Sequence, residues 1–578
     1  MRPINLKGQW RSRVKAAVAL AVLGLLVLGT GVSQGSIHAL SGNNETPGSI
    51  SPRNFPVQDS WNETDLGRAS KKYDALLQKA KERGRVRVIV GLDTTFRPEG
   101  ALSAPQADRQ RQGIARVQDR ILDRIQNGEV RAVKRFKFIP YMVVEANEEA
   151  LEALIAQDEV TSVQEDLPEP LVLPSKATPT QQGPEPPLLE SSIALIGANN
   201  AFNDGFTGAG QTIAILDTGV DKSHPFLTGK VVSEACYSTN SAPSAITTLC
   251  PNGMEEQVGD GAGVSCPFPT VNNCDHGTHV AGIAAGNRTV SSGVARDADI
   301  IAIQVFSRFD DPDFCSPSLA PCVLSFVSEM ISGLERVFEL RNTFNIAAVN
   351  MSIGGGAFSS PCDDDSRKPA IDNLRSVGII MVIASGNGGS TTGISSPACI
   401  STAVSVGATD SSDAVAYFSN CADILDVYAP GVSINSSITG GEFGVKSGTS
   451  MAAPHMAGAW ALIRSKTAQA SVDDILSAFV NAGVFIADSF CPTKPRIQVD
   501  STLAQLPLDC LLPASGNWTV AESCAFSGSA IVPTSVIVEA GATLTIASGA
   551  SLDINFSSNH LRIKNGARVI IQSGGKIE

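Results

Sequence analysis

Hydrophobic and polar positions follow three rhythms along the chain. From residue 85 to 166 the unit is short and mixed. Val86, Val88 and Val90 stand at every second position, the pattern of a strand. Between Gln106 and Gln126, Ile114, Val117, Ile121 and Ile125 lie three, four and four residues apart, which is one face of a helix. Residues 130–146 alternate again, with Phe136 and Phe138 around Lys137, then Met142, Val144 and Ala146. Pro140-Tyr141 separates the halves as in a hairpin. Glu148 to Gln157 places Leu151, Leu154 and Ile155 on one helix side, and Val160 to Val163 closes the set as a strand. The order βαββαβ predicts a ferredoxin-like α+β unit over 85–166.

Residues 191–508 have another texture. The apolar runs Thr212–Leu216, Ile300–Val305, Ala347–Met351, Ile379–Ala384 and Ala403–Val406 alternate with helical stretches. Continuous apolar strands separated by helices predict an α/β fold: a parallel sheet with helices on both faces. Residues 235–274, rich in Cys, Gly, Pro and Asn, read as an inserted loop region. The third rhythm fills 509–578. Gly541-Ala542-Thr543-Leu544-Thr545-Ile546 is echoed by Gly549-Ala550-Ser551-Leu552-Asp553-Ile554 and, more loosely, from Gly566 and Gly575. This predicts a small all-β repeat region, a solenoid or a sandwich. The stretches 36–84 and 167–190 read as linkers, and the seven prolines of 167–189 mark an exposed, easily cut segment.

Composition narrows the setting. The chain has 578 residues, 43% hydrophobic and 17% charged, which is globular, and a net charge of −13, which opposes nucleic-acid binding. Arg2, Lys7, Arg11, Arg13 and Lys15 precede the uncharged run Ala16 to Gly29, and small residues follow. Residues 1–35 therefore read as a signal peptide, the membrane is met only through that segment, and the chain is expected to be secreted. All 12 cysteines lie at or after Cys236, so they are disulfide candidates. Cys266/Cys274, Cys315/Cys322 and Cys399/Cys421 are near neighbours, but pairing is not fixed by sequence.

Three segments carry chemistry. Ile213-Ala214-Ile215-Leu216-Asp217-Thr218-Gly219 puts an acid at the carboxyl end of a buried strand. Asp275-His276-Gly277-Thr278-His279 opens a helix of small residues, with Asp275 as its expected cap. Gly448-Thr449-Ser450-Met451-Ala452 places a serine at a helix N-terminus, where developing negative charge is favoured. A serine hydroxyl needs a base, and that base needs a partner to fix its tautomer. The order Asp, His, Ser is the subtilisin order.

The three blocks resemble those of the subtilisin-like serine endopeptidases. That resemblance implies Asp217 as orienter, His276 as general base and acid, and Ser450 as nucleophile. Ile383-Ala384-Ser385-Gly386-Asn387 resembles the oxyanion segment, with Asn387 as side-chain donor beside the Ser450 N–H. Asn350-Met351-Ser352-Ile353-Gly354 resembles the substrate strand, so Ser352, Ile353, Gly354 and Gly386 are expected to bind an extended peptide. Residues 85–166 resemble the family's inhibitory propeptide. The expectation is a secreted zymogen that cuts itself within 167–190 and hydrolyses proteins or peptides, with its propeptide as intramolecular inhibitor. The chemistry needs no cofactor. Structural calcium is an open option, and no metal ligand set is expected. The C-terminal repeats are candidates for binding a surface or partner. His224, His279 and His455 read as structural, and Asn350 as a brace. A sedolisin-like acid protease is disfavoured by His276 and Asn387, and a dead scaffold by the complete residue set.

Overall fold

The computed structural model describes residues 63–578, apart from 126–129, 173–188, 242–243, 268–269, 289–290, 316–319, 514–515 and single positions at 469, 507, 511, 527, 533 and 548. The expected signal segment lies outside the described residues. Among these, no helix is long and apolar enough to cross a membrane.

The first unit has four strands, Val86–Leu92, Val130–Arg135, Tyr141–Ala146 and Val160–Glu165. They form an antiparallel sheet in the spatial order second, third, first, fourth. Helix Ala104–Arg124 starts where the Gln106 side chain accepts from the Ser103 N–H at 2.9 Å, with Pro105 in its first turn. Helix Glu148–Ile155 is capped by Asn147, whose side chain accepts from Ala150 N. The pleat separates two cores. Val86, Val88, Val90, Val144 and Ala146 pack under Ile114, Val117, Ile121, Leu151 and Leu154. Ile89 and Val143, facing the other way, join Phe136, Phe138 and Ile139 in a core shared with the second unit.

Residues 36–84 are not a linker throughout: Glu63–Arg83 is a helix that adds Leu76 and Ala80 to the first core. Its apolar positions are outnumbered by charges on the opposite face, which hid the periodicity.

The second unit is built on a ten-stranded sheet. Eight strands run parallel, in the order Lys494–Arg496, Val427–Pro430, Val404–Thr409, Ile380–Ala384, Ile346–Met351, Thr212–Asp217, Asp299–Gln304 and Val231–Tyr237. The expected purely parallel sheet is mixed instead. Val484–Ile486 and Glu256–Val258 add one antiparallel strand at each edge. These edges are short and poorly patterned, as edge strands tolerate. The second comes from the 235–274 insert. Alternation splits the sheet's faces. Ile213 and Ile215 pack on helices His276–Ala285 and Thr449–Lys466. Ala214 and Leu216 pack on Val327–Leu340 and Lys368–Ser376.

Six disulfides join Cys236–Cys250, Cys266–Cys274, Cys315–Cys322, Cys362–Cys399, Cys421–Cys491 and Cys510–Cys524. Two of the three sequence neighbours pair with each other. Cys399 and Cys421 each take a distant partner. The C-terminal strands stack in three parallel ladders, for example Cys524–Phe526, Thr543–Ile546 and Arg568–Ile571. Each repeat of eight or nine residues is thus one face of a coil. Leu544, Ile546, Leu552 and Ile554 fill the interior.

Candidate active site

Asp217 ends the central strand and is fully buried. Its carboxylate accepts from His276 Nδ1 at 2.9 and 3.0 Å and from Thr218 N at 2.7 Å. The helix carrying His276 can come this close because residue 277 is glycine: a Cβ there would lie 2.3 Å from the Gly219 carbonyl oxygen. His276 Nε2 is buried and has no hydrogen-bond partner among the described residues.

Ser450 stands second in the helix Thr449–Lys466. Pro454 lies four residues on and has no N–H, so the Ser450 carbonyl lacks its helical donor. Ser352 Oγ supplies one instead at 3.2 Å, and Asn350 Nδ2 reaches Ser352 Oγ at 3.3 Å. Asn350 therefore braces this strand. Asn387 is oriented from its oxygen side: Oδ1 accepts from Thr449 N at 2.9 Å and from Thr449 Oγ1 at 3.0 Å. That fixes the amide with Nδ2 pointing the other way. Gly448 keeps the space open, since a Cβ there would sit 3.0 Å from Asn387 Nδ2.

The cleft is occupied by the chain itself. Asn387 Nδ2 and Ser450 Oγ both donate to the Val172 carbonyl, each at 2.7 Å. Val172 N donates to the Ser352 carbonyl at 3.2 Å, Leu171 bridges Ile353, and Gly354 N reaches the Pro170 carbonyl at 3.4 Å. On the other side, Pro168–Pro170 pairs antiparallel with Cys322–Phe326. Residues 168–172 thus form a strand inserted between two enzyme strands, not a linker. Leu189–Leu195, also assigned to the linker at its start, begins the next helix. Proline density concealed the inserted strand. Pro168 and Pro170 have no N–H to donate, and Pro170 joins the pairing through its carbonyl, which accepts from Gly354 N.

The pattern describing the Subtilase family matches residues 208–488. Subtilisin E of Bacillus subtilis is 31% identical over 373 residues, 64% of this chain and 82% of the relative. The chain belongs to the subtilase family. A subtilisin of Bacillus pumilus is 32% identical over 314 residues, 54% of this chain and 96% of the relative. An alkaline protease of Shouchella clausii is 31% identical over 348 residues, 60% of this chain and 74% of the relative. This subtilase is a serine-type endopeptidase, a hydrolase acting on proteins or peptides.

Three further histidines of this subtilase, His224, His279 and His455, are held in the fold. His279 Nε2 lies 2.9 Å from the Gly444 carbonyl, and burial lowers its pKa to about 3. His455 bridges Met451 O and Ser192 Oγ, and burial lowers it to about 4. His224 lies between the Glu442 carbonyl and Phe226 N. Asp275 makes no cap: Oδ2 pairs with Lys446 Nζ at 2.9 Å. A lysine from a distant hairpin outcompetes the local N–H groups. Gly386 N donates to Thr449 Oγ1 at 3.3 Å. Among the described residues no cluster of His, Cys, Asp or Glu could hold a metal.

Sequence reasoning missed Thr449, the Cys322–Phe326 strand and the surface that receives the first unit. On that surface Phe138 meets Phe338 edge-on with centroids 5.1 Å apart. Glu335 accepts from the Lys137 and Phe138 N–H groups at 3.1 and 2.7 Å. Asn373 Nδ2 donates to Phe138 O at 3.0 Å, Arg87 Nη2 donates to Ser328 Oγ at 2.9 Å, and Asp166 accepts from Ser328 N at 3.0 Å. The adjacency of Asn387 Oδ1 and Thr449 had a signal in the Gly448-Thr449-Ser450 block; the docking surface had none.

Proposed function

We propose that this endopeptidase is an exported zymogen whose 63–172 segment is an inhibitory propeptide and which cuts its own Val172–Leu173 bond. The observation that carries the reading is the Val172 carbonyl, which accepts from both Ser450 Oγ and Asn387 Nδ2. A peptide carbonyl at the nucleophile, with its chain paired on both sides, is a substrate pose.

In this reading Ser450 Oγ attacks the Val172 carbonyl carbon while His276 Nε2 takes the hydroxyl proton. Asp217 holds the imidazole with Nδ1–H toward itself and balances the imidazolium. Charge moves onto the carbonyl oxygen, and Asn387 Nδ2 is already aimed at it. Collapse breaks the C–N bond, His276 returns the proton to the departing Leu173 amine, and water then hydrolyses the Val172 ester by the same route in reverse. Residues 168–172 remain as a bound product, and peptides of other proteins use the same strand pairing through Ser352, Ile353 and Gly354. No cofactor enters these steps. The C-terminal coils lie outside the chemistry and are the element left for contact with a surface or partner.

The test is secretion of the full chain beside Ser450→Ala, with mass analysis of the fragments. The expected result is a released fragment ending at Val172 from wild type and an uncut variant. A Ser450→Ala chain releasing the same fragment would overturn the proposal.

A further inference from the structure

The Arg367 side chain is only 2% exposed, inside the unit that carries the cleft. A buried guanidinium must find acceptors for its five N–H donors. Asp365 takes Nε at 2.9 Å and Nη2 at 2.7 Å, and Ser396 Oγ takes Nη2 at 2.8 Å. What remains is Nη1. Apart from a thioether, Met330 Sδ at 3.3 Å, which is a weak acceptor, its partner is Glu169 Oε2 at 2.6 Å. Glu169 Oε1 also receives Nη2 at 3.1 Å, so the contact is a two-pronged carboxylate fork. Burial works against the Arg367 cation, but the Asp365 and Glu169 charges outweigh it and raise its pKa, so it is charged at any working pH.

Glu169 is three residues before Val172, opposite Ser325 in the strand ladder. Its place relative to the reacting carbonyl is fixed by the backbone pairing, which any extended peptide would repeat. Arg367, Asp365 and Ser396 belong to the peptidase unit and stay when residues up to 172 leave.

We propose that Arg367 is a specificity-determining residue that selects peptides with a carboxylate, above all glutamate, at the fourth position before the cleaved bond. The inference rests on the peptidase reading above. With Nε and Nη2 held by Asp365, Arg367 offers its open Nη1 edge to one further acid. An amide there replaces one acceptor with a donor facing a donor, and a lysine ammonium meets a buried cation.

The test uses the secreted, matured protein and four acetylated peptide p-nitroanilides, Xaa-Pro-Leu-Val, with Glu, Gln, Ala or Lys first. The expected kcat/KM is about ten-fold higher for Glu than for Gln, the scale of charged over neutral hydrogen bonds, and lowest for Lys. In Arg367→Met the Glu-to-Gln ratio should fall to about one. If that variant does not fold, the wild-type panel decides alone. Casein hydrolysis by the same preparation separates two failures. Casein cut with the panel flat or uncut overturns the Arg367 assignment and leaves Glu169 as a latch in the zymogen only. Neither casein nor any peptide cut overturns the peptidase reading and this inference with it.

Discussion

Phe138 offers a perturbation of the proposed propeptide whose effect falls on docking and not on the folding of the 63–172 segment. Its ring is 3% exposed, and it belongs to the core shared with the peptidase unit, while the segment's own core is built from Val86, Val88, Val90, Ile114 and their neighbours. The ring packs edge-on against Phe338 and lies 4.9 Å from the Arg111 guanidinium and 5.8 Å from that of Arg341. Truncating a buried phenylalanine costs about 3–5 kcal/mol when the site cannot collapse. Part of that cost is relieved here, because water can enter once the segment lifts away. About 3 kcal/mol is a reasonable share, and at about 1.4 kcal/mol per decade it weakens inhibition roughly 100-fold. The assay is inhibition of matured enzyme by the 63–172 segment carrying Phe138→Ala, with circular dichroism to confirm that the segment is folded. Val88→Ala is the contrasting variant, which should lower the segment's own unfolding midpoint. A folded Phe138→Ala segment inhibiting within about three-fold of wild type would refute the division of the two cores.

Asn387→Ala removes the donor to the Val172 carbonyl, and self-processing should slow by about 10²–10³, the loss found when a subtilisin is stripped of its oxyanion asparagine. Gel densitometry of secreted chain against time measures it, and unaltered processing would refute the role. Docking should also depend on pH. Burial raises Glu335 to about 7, against the Phe138 and Lys137 N–H groups and the Lys137 charge that lower it, while Glu339 adds to the rise. A carboxyl whose docked value lies above its ordinary value takes up a proton on docking. Its contribution is therefore full below the ordinary value near 4.5 and lost as pH climbs through about 7. The inhibition constant of the 63–172 segment should weaken between about pH 5 and 8, and Glu335→Gln should flatten that slope. A slope of the opposite sign would refute it.

The parts of this molecule legible in its sequence are those where chemistry or periodicity is local. Asp217, His276 and Ser450 each sit in a run of small or apolar residues that only a strand end or a tightly packed helix start accommodates. The Thr212–Asp217 and Ile346–Met351 strands are apolar without a break because both faces are covered. The parts that were not legible are set by partners far away in sequence. Asp275 reads as a cap until Lys446 arrives from 171 residues on. Glu169 reads as one charge in a proline-rich tether until Arg367 meets it. Phe136 and Phe138 read as the face of a hairpin, and nothing local says that they cover another unit's helices. The same physics accounts for both outcomes. A buried polar group must be satisfied, but the identity of its partner is decided by the fold and not by neighbours in the chain. Arg367 shows why this matters for function. Its acceptors come from Asp365, Ser396 and, through the inserted strand, Glu169, so under the proposed cleavage the Nη1 edge that Glu169 fills would fall to the next peptide.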